Sequence, residues 1–159
     1  MTKILIISDT HGDKKVFLDV INYENPNYVI HAGDYEVDVA FISRNVDFFV
    51  KGNCDYEGDP VKLFNIDGIN FFLTHGNQFS IFKGLISKQI IKTAKMYRAN
   101  VAITGHTHKE EIEKEDEILR INPGSLIRPR NSRGIPTYAI LNISGGEIVD
   151  YEIKEWNPI

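Results

Sequence analysis

Seven side chains of types that hold metal ions recur along this 159-residue chain, each placed just after an apolar run. They are the carboxylates Asp9 and Asp34, the carboxamide Asn53, and the imidazoles His11, His75, His106 and His108. Five short motifs carry them: Asp9-Thr10-His11, Gly33-Asp34, Gly52-Asn53-Cys54-Asp55, His75-Gly76 and Gly105-His106-Thr107-His108. Singly, most are ordinary, since Gly-Asp and Gly-Asn are also turn chemistry. The Gly-His-x-His motif is more specific, because period-2 spacing on an extended segment puts both imidazoles on one side. Four of the chain's five histidines lie in these motifs, which scattered structural histidines would not do. Oxygen and imidazole donors suit Mn, Fe, Zn, Ni or Co rather than a soft-metal or structural cysteine site. Seven ligands are too many for one tetrahedral ion and suit two ions sharing a carboxylate. Two divalent ions bring four positive charges. Two aspartates and a bridging hydroxide remove three, so the centre keeps about one and attracts a phosphate anion. Paired ions also lower the pKa of water toward roughly 7 and clamp both sides of an in-line displacement.

Such a centre needs rigid elements beneath it. Ile4–Ile7 and Tyr28–Ile30 are continuous apolar runs, the pattern of strands buried on both faces, and Val46–Val50 is a third. Helices are expected over Asp13–Tyr23, stopped by Asn25-Pro26-Asn27, and over Val37–Ser43. This β-α-β-α-β opening argues for a parallel sheet. Val61–Ile66 and Ile69–Leu73 flank Asp67-Gly68, a strong hairpin signal. Ser80–Arg98 reads as a long helix with Ser80 as N-cap, and Val101–Thr104 as a short strand. Strands near Lys109–Glu113, Ile118–Ile121, Tyr138–Ile143 and Ile148–Ile153 follow, the last two joined through Ser144-Gly145-Gly146. The expected fold class is α/β, two packed mixed β-sheets flanked by helices, with the first half mostly parallel and the second mostly antiparallel. With no linker or repeat, residues 1–159 are read as a single domain. Ligands gather beyond the carboxyl ends of strands in such sheets, so the five motifs are expected to converge on one rim.

Composition narrows the function. Hydrophobic residues make up 42% and charged residues 25%, ordinary for a globular protein. A net charge of −4 disfavours broad nucleic-acid coating. The one cysteine, Cys54, makes no internal disulfide, and the apolar run at the start is too short for a signal or a membrane span. A cytoplasmic protein with no membrane partner is expected.

The ordered motifs resemble the calcineurin-like metallophosphoesterase family from Ile4 to past Ser125, and the small size is similar to its compact single-domain phosphodiesterase branch. The resemblance implies the four-layer sandwich of that family and a pair of divalent ions, Mn2+ first and Ni2+, Fe2+, Co2+ or Zn2+ as alternatives. It implies that Asp9, His11 and His108 bind one ion, that Asp34 bridges, and that Asn53, His75 and His106 bind the second. Asn53, His75 and His106 are then the catalytic group, with Asn53 also touching the substrate phosphate. The expected reaction is hydrolysis of a small phosphodiester, nucleotide-like ones included, with some monoester activity, by a metal-bridging hydroxide. Asn122-Pro123-Gly124-Ser125 looks like the branch's rim segment, acting through backbone bonds. The family also suggests a homo-oligomer. One departure matters: larger members place a histidine after the asparagine, and Cys54 stands there, leaving Asp55 without that partner. The alternative is a non-catalytic protein-interaction scaffold of the same fold, as in the retromer subunit that resembles this branch. The retained histidines weigh against it, and the acidic balance weighs against a nuclease.

Weaker features remain. Arg128, Arg130 and Arg133 form a basic loop, and Arg130 is a candidate for a second substrate phosphate. His31 is a buried strand histidine able to orient a ligand or simply to be satisfied in the core. Phe79-Ser80-Ile81-Phe82 could wall the pocket or staple the helix start.

Overall fold

Apolar residues on both faces of the central strands force a layered arrangement. The computed structural model describes residues 1–79 and 83–157, and of Lys83 and Gly84 the backbone alone. Its elements run β1 (Thr2–Ile7), α1 (Lys14–Glu24), β2 (Tyr28–His31), α2 (Val39–Asn45), β3 (Phe48–Phe49), β4 (Val61–Ile66), β5 (Ile69–Thr74), α3 (Lys83–Met96), β6 (Val101–Ile103), β7 (Glu111–Glu115), β8 (Ile118–Asn122), β9 (Thr137–Ser144) and β10 (Glu147–Glu155). Two five-stranded sheets form, ordered β10-β9-β1-β2-β3 and β4-β5-β6-β8-β7. Side-chain alternation along a strand assigns each residue to one face. Ile4 and Ile6 of β1 join Phe71, Leu73, Ile103, Ile121 and Leu141 between the sheets. Leu5 and Ile7 face outward, under Phe17, Val20, Phe41 and Ile42 of α1 and α2. Phe72 and Ala102 on the far side of the second sheet meet Ile90, Ile91 and Ala94 of α3. The result is the expected four layers, helix, sheet, sheet, helix.

Local chemistry sets the ends. The Asp13 carboxylate accepts the Val16 amide at 3.0 Å to start α1, and Asn25 closes it in the left-handed region. Asp38 caps α2 by accepting the Phe41 amide, so this helix begins and ends two residues later than the pattern of apolar residues suggests. Asp67 and Gly68 turn with φ of 47° and 86°, joining β4 to β5 as expected. The expected Ser80 cap and the Ser80-Ile81-Phe82 wall lie outside the described residues.

The first half is mostly parallel and the second mostly antiparallel, as expected, but these halves do not map onto the two sheets. Each sheet is mixed. β5, β6 and β8 run parallel in the second sheet, while β9 pairs antiparallel with β1 in the first. Alternation identifies a strand's faces and not its partner. β9 is apolar on both faces, with Tyr138 and Ile140 against the helices and Ala139, Leu141 and Ile143 between the sheets, so it fills an interior position beside β1. The strand expected over Val46–Val50 shrinks to Phe48–Phe49 at the sheet's edge. Among the described residues no helix is long and apolar enough to cross a membrane.

Candidate metal centre

β1, β2, β3, β5 and β6 point their carboxyl ends the same way within their parallel sets, and the five motifs occupy the loops that follow. The chain turns sharply there. Asp9, His11, Asp34, His106 and His108 have φ of 54°, 44°, 59°, 71° and 62°, a region that costs an ordinary side chain on the order of 1 kcal/mol each. Close approach is built in as well. A Cβ on Gly105 would lie 2.2 Å from Ser8 Oγ and 2.7 Å from Asp9 Oδ2, and one on Gly52 would lie 2.1 Å from Asp34 Oδ1. These glycines let backbone pack against the two carboxylates.

Asp9 sits at the middle, fully buried. Its Oδ2 accepts the Ser8 hydroxyl at 2.6 Å and the His106 amide at 3.1 Å, a bond between loops of the two sheets. Its Oδ1 has no hydrogen-bond partner and faces three imidazoles, with His108 Nε2 at 3.2 Å, His75 Nε2 at 3.8 Å and His11 Nε2 at 3.9 Å. Each imidazole is aimed through its other nitrogen. His108 Nδ1 donates to the Arg128 carbonyl at 2.7 Å, His75 Nδ1 donates to the Ala32 carbonyl at 2.8 Å, and His11 Nδ1 donates to the Glu36 carboxylate. That fixes the tautomer and leaves every Nε2 turned to the centre, the usual orientation of ligating histidines. Asp34 Oδ2 lies 3.2 Å from His75 Nε2, and its Oδ1 accepts the Cys54 amide at 2.8 Å. His106 and the exposed Asn53 form the mouth, His106 Nδ1 lying 3.2 Å from Asn53 Oδ1.

Charge is balanced against burial. Burial pushes the Asp9 carboxyl up, but the imidazoles of His108 and His75 and the Ser8 hydroxyl outweigh it and hold the group below the usual carboxylate range. Asp34 is lowered as well, its burial overcome by His75 and the Cys54 amide. His75 is raised, because the two carboxylates outweigh its burial. His106 is lowered, first by burial and then by His75.

The residues fit divalent metal. Of three overlapping groups among the described residues, each with three ligand atoms within 4.8 Å of one another, two are centred on the buried carboxylates, Asp9-His11-His108 and Asp9-Asp34-His75, and the third, His11-Glu36-Cys54, lies further out. The buried Asp9 Oδ1 and the 1% exposed His75 Nε2 both lack hydrogen-bond partners, as ligand atoms awaiting a cation would. Family resemblance assigns the shared carboxylate to Asp34, whereas here Asp9 is common to both groups. Arg130 stands apart: its side chain is exposed, and its backbone amide, not its guanidinium, meets the site by donating to the His108 carbonyl at 2.9 Å.

Several supporting residues escaped sequence reasoning. Glu36 orients His11, a role its place three residues past Gly33 does not signal. Ser8 fastens Asp9. Asp55, without the histidine partner of larger members, accepts backbone amides from two of the site's loops instead. His31 proves to be a satisfied core histidine. Its Nδ1 accepts the Gly33 amide at 3.0 Å, its Nε2 donates to Thr10 Oγ1 at 3.0 Å, and burial drives its pKa down to about 3, so it stays neutral. The Asn122–Ser125 segment acts through side chains that bond the backbone of the site's loops. Asn122 Nδ2 donates to the Gly105 carbonyl at 3.0 Å, and Ser125 Oγ donates to the Asp9 carbonyl at 2.8 Å.

Comparison with known proteins agrees with this geometry. The chain is 44% identical over 151 residues to a probable metallophosphoesterase of Mycoplasma pneumoniae, covering 94% of this chain and 95% of the relative. It is 31% identical to the phosphodiesterase MJ0936 of Methanocaldococcus jannaschii, covering 99% and 98%. Its fold superposes on Vps29 of Entamoeba histolytica, a structure solved with zinc, with a TM-score of 0.76 at 20% identity over 97% and 98% of the two chains. The family model of the calcineurin-like phosphoesterase superfamily domain matches residues 2–146. The chain belongs to the calcineurin-like phosphoesterase superfamily.

Proposed function

We propose that this metallophosphoesterase hydrolyses small phosphodiesters with two divalent cations, of which Mn2+ is the first choice. The observation that carries the reading is the buried, unpartnered Asp9 Oδ1 set among three imidazoles whose Nε2 atoms all face it. Asp9, His11 and His108 would hold one ion, Asn53, His75 and His106 the other, and Asp34 would be shared between them. When bound, the ions supply positive charge to the phosphate oxygens and acidify a water as nucleophile. The chain's own residues do the rest. Glu36 and the Ala32 and Arg128 carbonyls keep the imidazoles aimed, and the buried carboxylates stay ionised. Asn53, at the mouth, offers its carboxamide N–H to the substrate phosphate. The archaeal relative's name, phosphodiesterase, supports diesters as the substrate class.

The second reading is a protein-interaction scaffold, favoured by the likeness to Vps29. The test is hydrolysis of bis-p-nitrophenyl phosphate by metal-stripped protein with and without Mn2+, alongside Asn53→Ala. Activity that needs Mn2+ and collapses in the variant is expected. No activity with any divalent ion would leave the scaffold reading standing.

A further inference from the structure

Asp55 follows Asn53 and Cys54 at the rim, yet its carboxylate points away from the centre and into backbone. Its Oδ2 accepts the amides of Asp34 at 2.7 Å, Gly52 at 2.8 Å and Tyr35 at 3.4 Å, and its Oδ1 accepts that of Glu36 at 2.8 Å. Three of these donors are successive. Gly33, Asp34 and Glu36 are all left-handed, with φ of 106°, 59° and 49°, and such a turn converges consecutive N–H groups into an anion-binding concavity. In many proteins that concavity takes a phosphate. Here the chain's own carboxylate fills it.

We infer that Asp55 is the positioning residue for both halves of the metal centre, an inference that rests on the metal-dependent reading above. The nest it fills sets two side chains. One is Asp34, whose Oδ1 is held from the same segment by the Cys54 amide at 2.8 Å and whose Oδ2 reaches His75 at 3.2 Å. The other is Glu36, whose carboxylate accepts the hydrogen bond of His11 Nδ1–H and turns its Nε2 inward. One carboxylate therefore acts on the Asp34-His75 side directly and on the His11-His108 side through Glu36. A bond to an ionised acceptor is worth roughly twice a neutral one, and four amides converge on this one group. The neutral carboxamide introduced by Asp55→Asn would set N–H donors against N–H donors at one of its two terminal atoms.

The test is Mn2+ binding, read by calorimetry and by electron paramagnetic resonance on metal-stripped protein. Wild type, Asp55→Asn and Glu36→Gln are compared, with circular dichroism and melting as the check on folding. Wild type is expected to take two ions. Asp55→Asn should weaken both by roughly 10–100-fold and lose the spin-coupled signal of an ion pair. Glu36→Gln should weaken one ion only. At saturating Mn2+, Asp55→Asn should lower kcat while leaving KM within about two-fold. Should Asp55→Asn fail to fold, Asp55→Ser, whose hydroxyl still accepts one amide, carries the same titration. A folded Asp55 variant that binds both ions as tightly as wild type overturns the inference. Wild type that binds no ion at all overturns the metal centre itself, a result distinct from tight binding in the variant.

Discussion

Asp9 is a buried charge held in place for something it does not itself contain. Its Oδ1 gains no hydrogen bond, and the cost of leaving a buried polar atom unpaired is about 1–3 kcal/mol, more for an ion. The imidazoles that hold its pKa down favour the ionised form, so the metal-free fold also gains from this charge. Asp9→Asn is expected to abolish Mn2+-dependent hydrolysis and to melt somewhat lower than wild type when both are metal-free. Added Mn2+ should raise the melting temperature of wild type and leave the variant's unmoved. A variant that Mn2+ stabilises as much as wild type would contradict this account. Cys54 bears on the leaving group. It is exposed, and burial of its sulfur together with the Asp34 and Glu36 charges raises its thiol pKa, so it remains a neutral and weak acid. Without a histidine there, rates on a series of aryl phosphodiesters should fall steeply as the leaving group's pKa rises, and Cys54→His should flatten that slope. A flat dependence in wild type would show that another group already protonates the leaving oxygen.

At the scale of elements, one buried cluster ties four of them together. Glu24 ends α1 and is 5% exposed. Its carboxylate meets Lys3 of β1 at 2.9 Å, Lys154 of β10 at 2.8 Å and the Tyr138 hydroxyl of β9. Burial alone would raise its pKa, but Lys154, Lys3 and Tyr138 overcome that and bring it down to about 2. A depressed folded-state pKa means stability that is present above the unfolded value of 4.5 and is lost as pH falls through the window toward 2. The full shift corresponds to roughly 3 kcal/mol. Glu24→Gln, neutral at every pH, should be less stable than wild type at pH 7 by about 2 kcal/mol, and the gap should close as pH drops from about 4.5 to 2. Denaturant melts across that range check it, and a gap independent of pH would remove the charge from the explanation. Nothing in the sequence marks this cluster, since its members are spread from residue 3 to residue 154. The same limit explains which elements were legible. The Asp67-Gly68 hairpin and the Asn25 stop rest on local chemistry and read correctly. The turn at Asp116 and Glu117 has φ of 50° and 66° without a glycine to announce it, and the strand before it, β7, lies two residues later than expected. The motifs marked the side chains that the fold brings together. Glu36, Ser8 and Asp55, which aim them, work through contacts no spacing rule encodes.

Across the whole molecule, the site belongs to neither sheet. Asp9, Asp34 and Asn53 extend from the first sheet, His75, His106 and His108 from the second, and the His106 amide to Asp9 Oδ2 joins them. The first sheet is completed from both ends of the chain, with β1 at its middle between β2 and β9. That order has a meaning for a protein as it emerges from the ribosome. β2 reaches β1 within the first few dozen residues, but β9 begins only at Thr137. Until then, the strand that carries Asp9 has one side without a neighbour, and its alternating isoleucines lack the Ala139, Leu141 and Ile143 that cover them. Ser125, which bonds the Asp9 carbonyl, is also late to arrive. All seven candidate ligands are synthesised by residue 108, so a nascent chain has the means to capture metal well before it has the scaffold to place it. Placement of the candidate metal centre therefore waits on a hairpin that carries no ligand of its own.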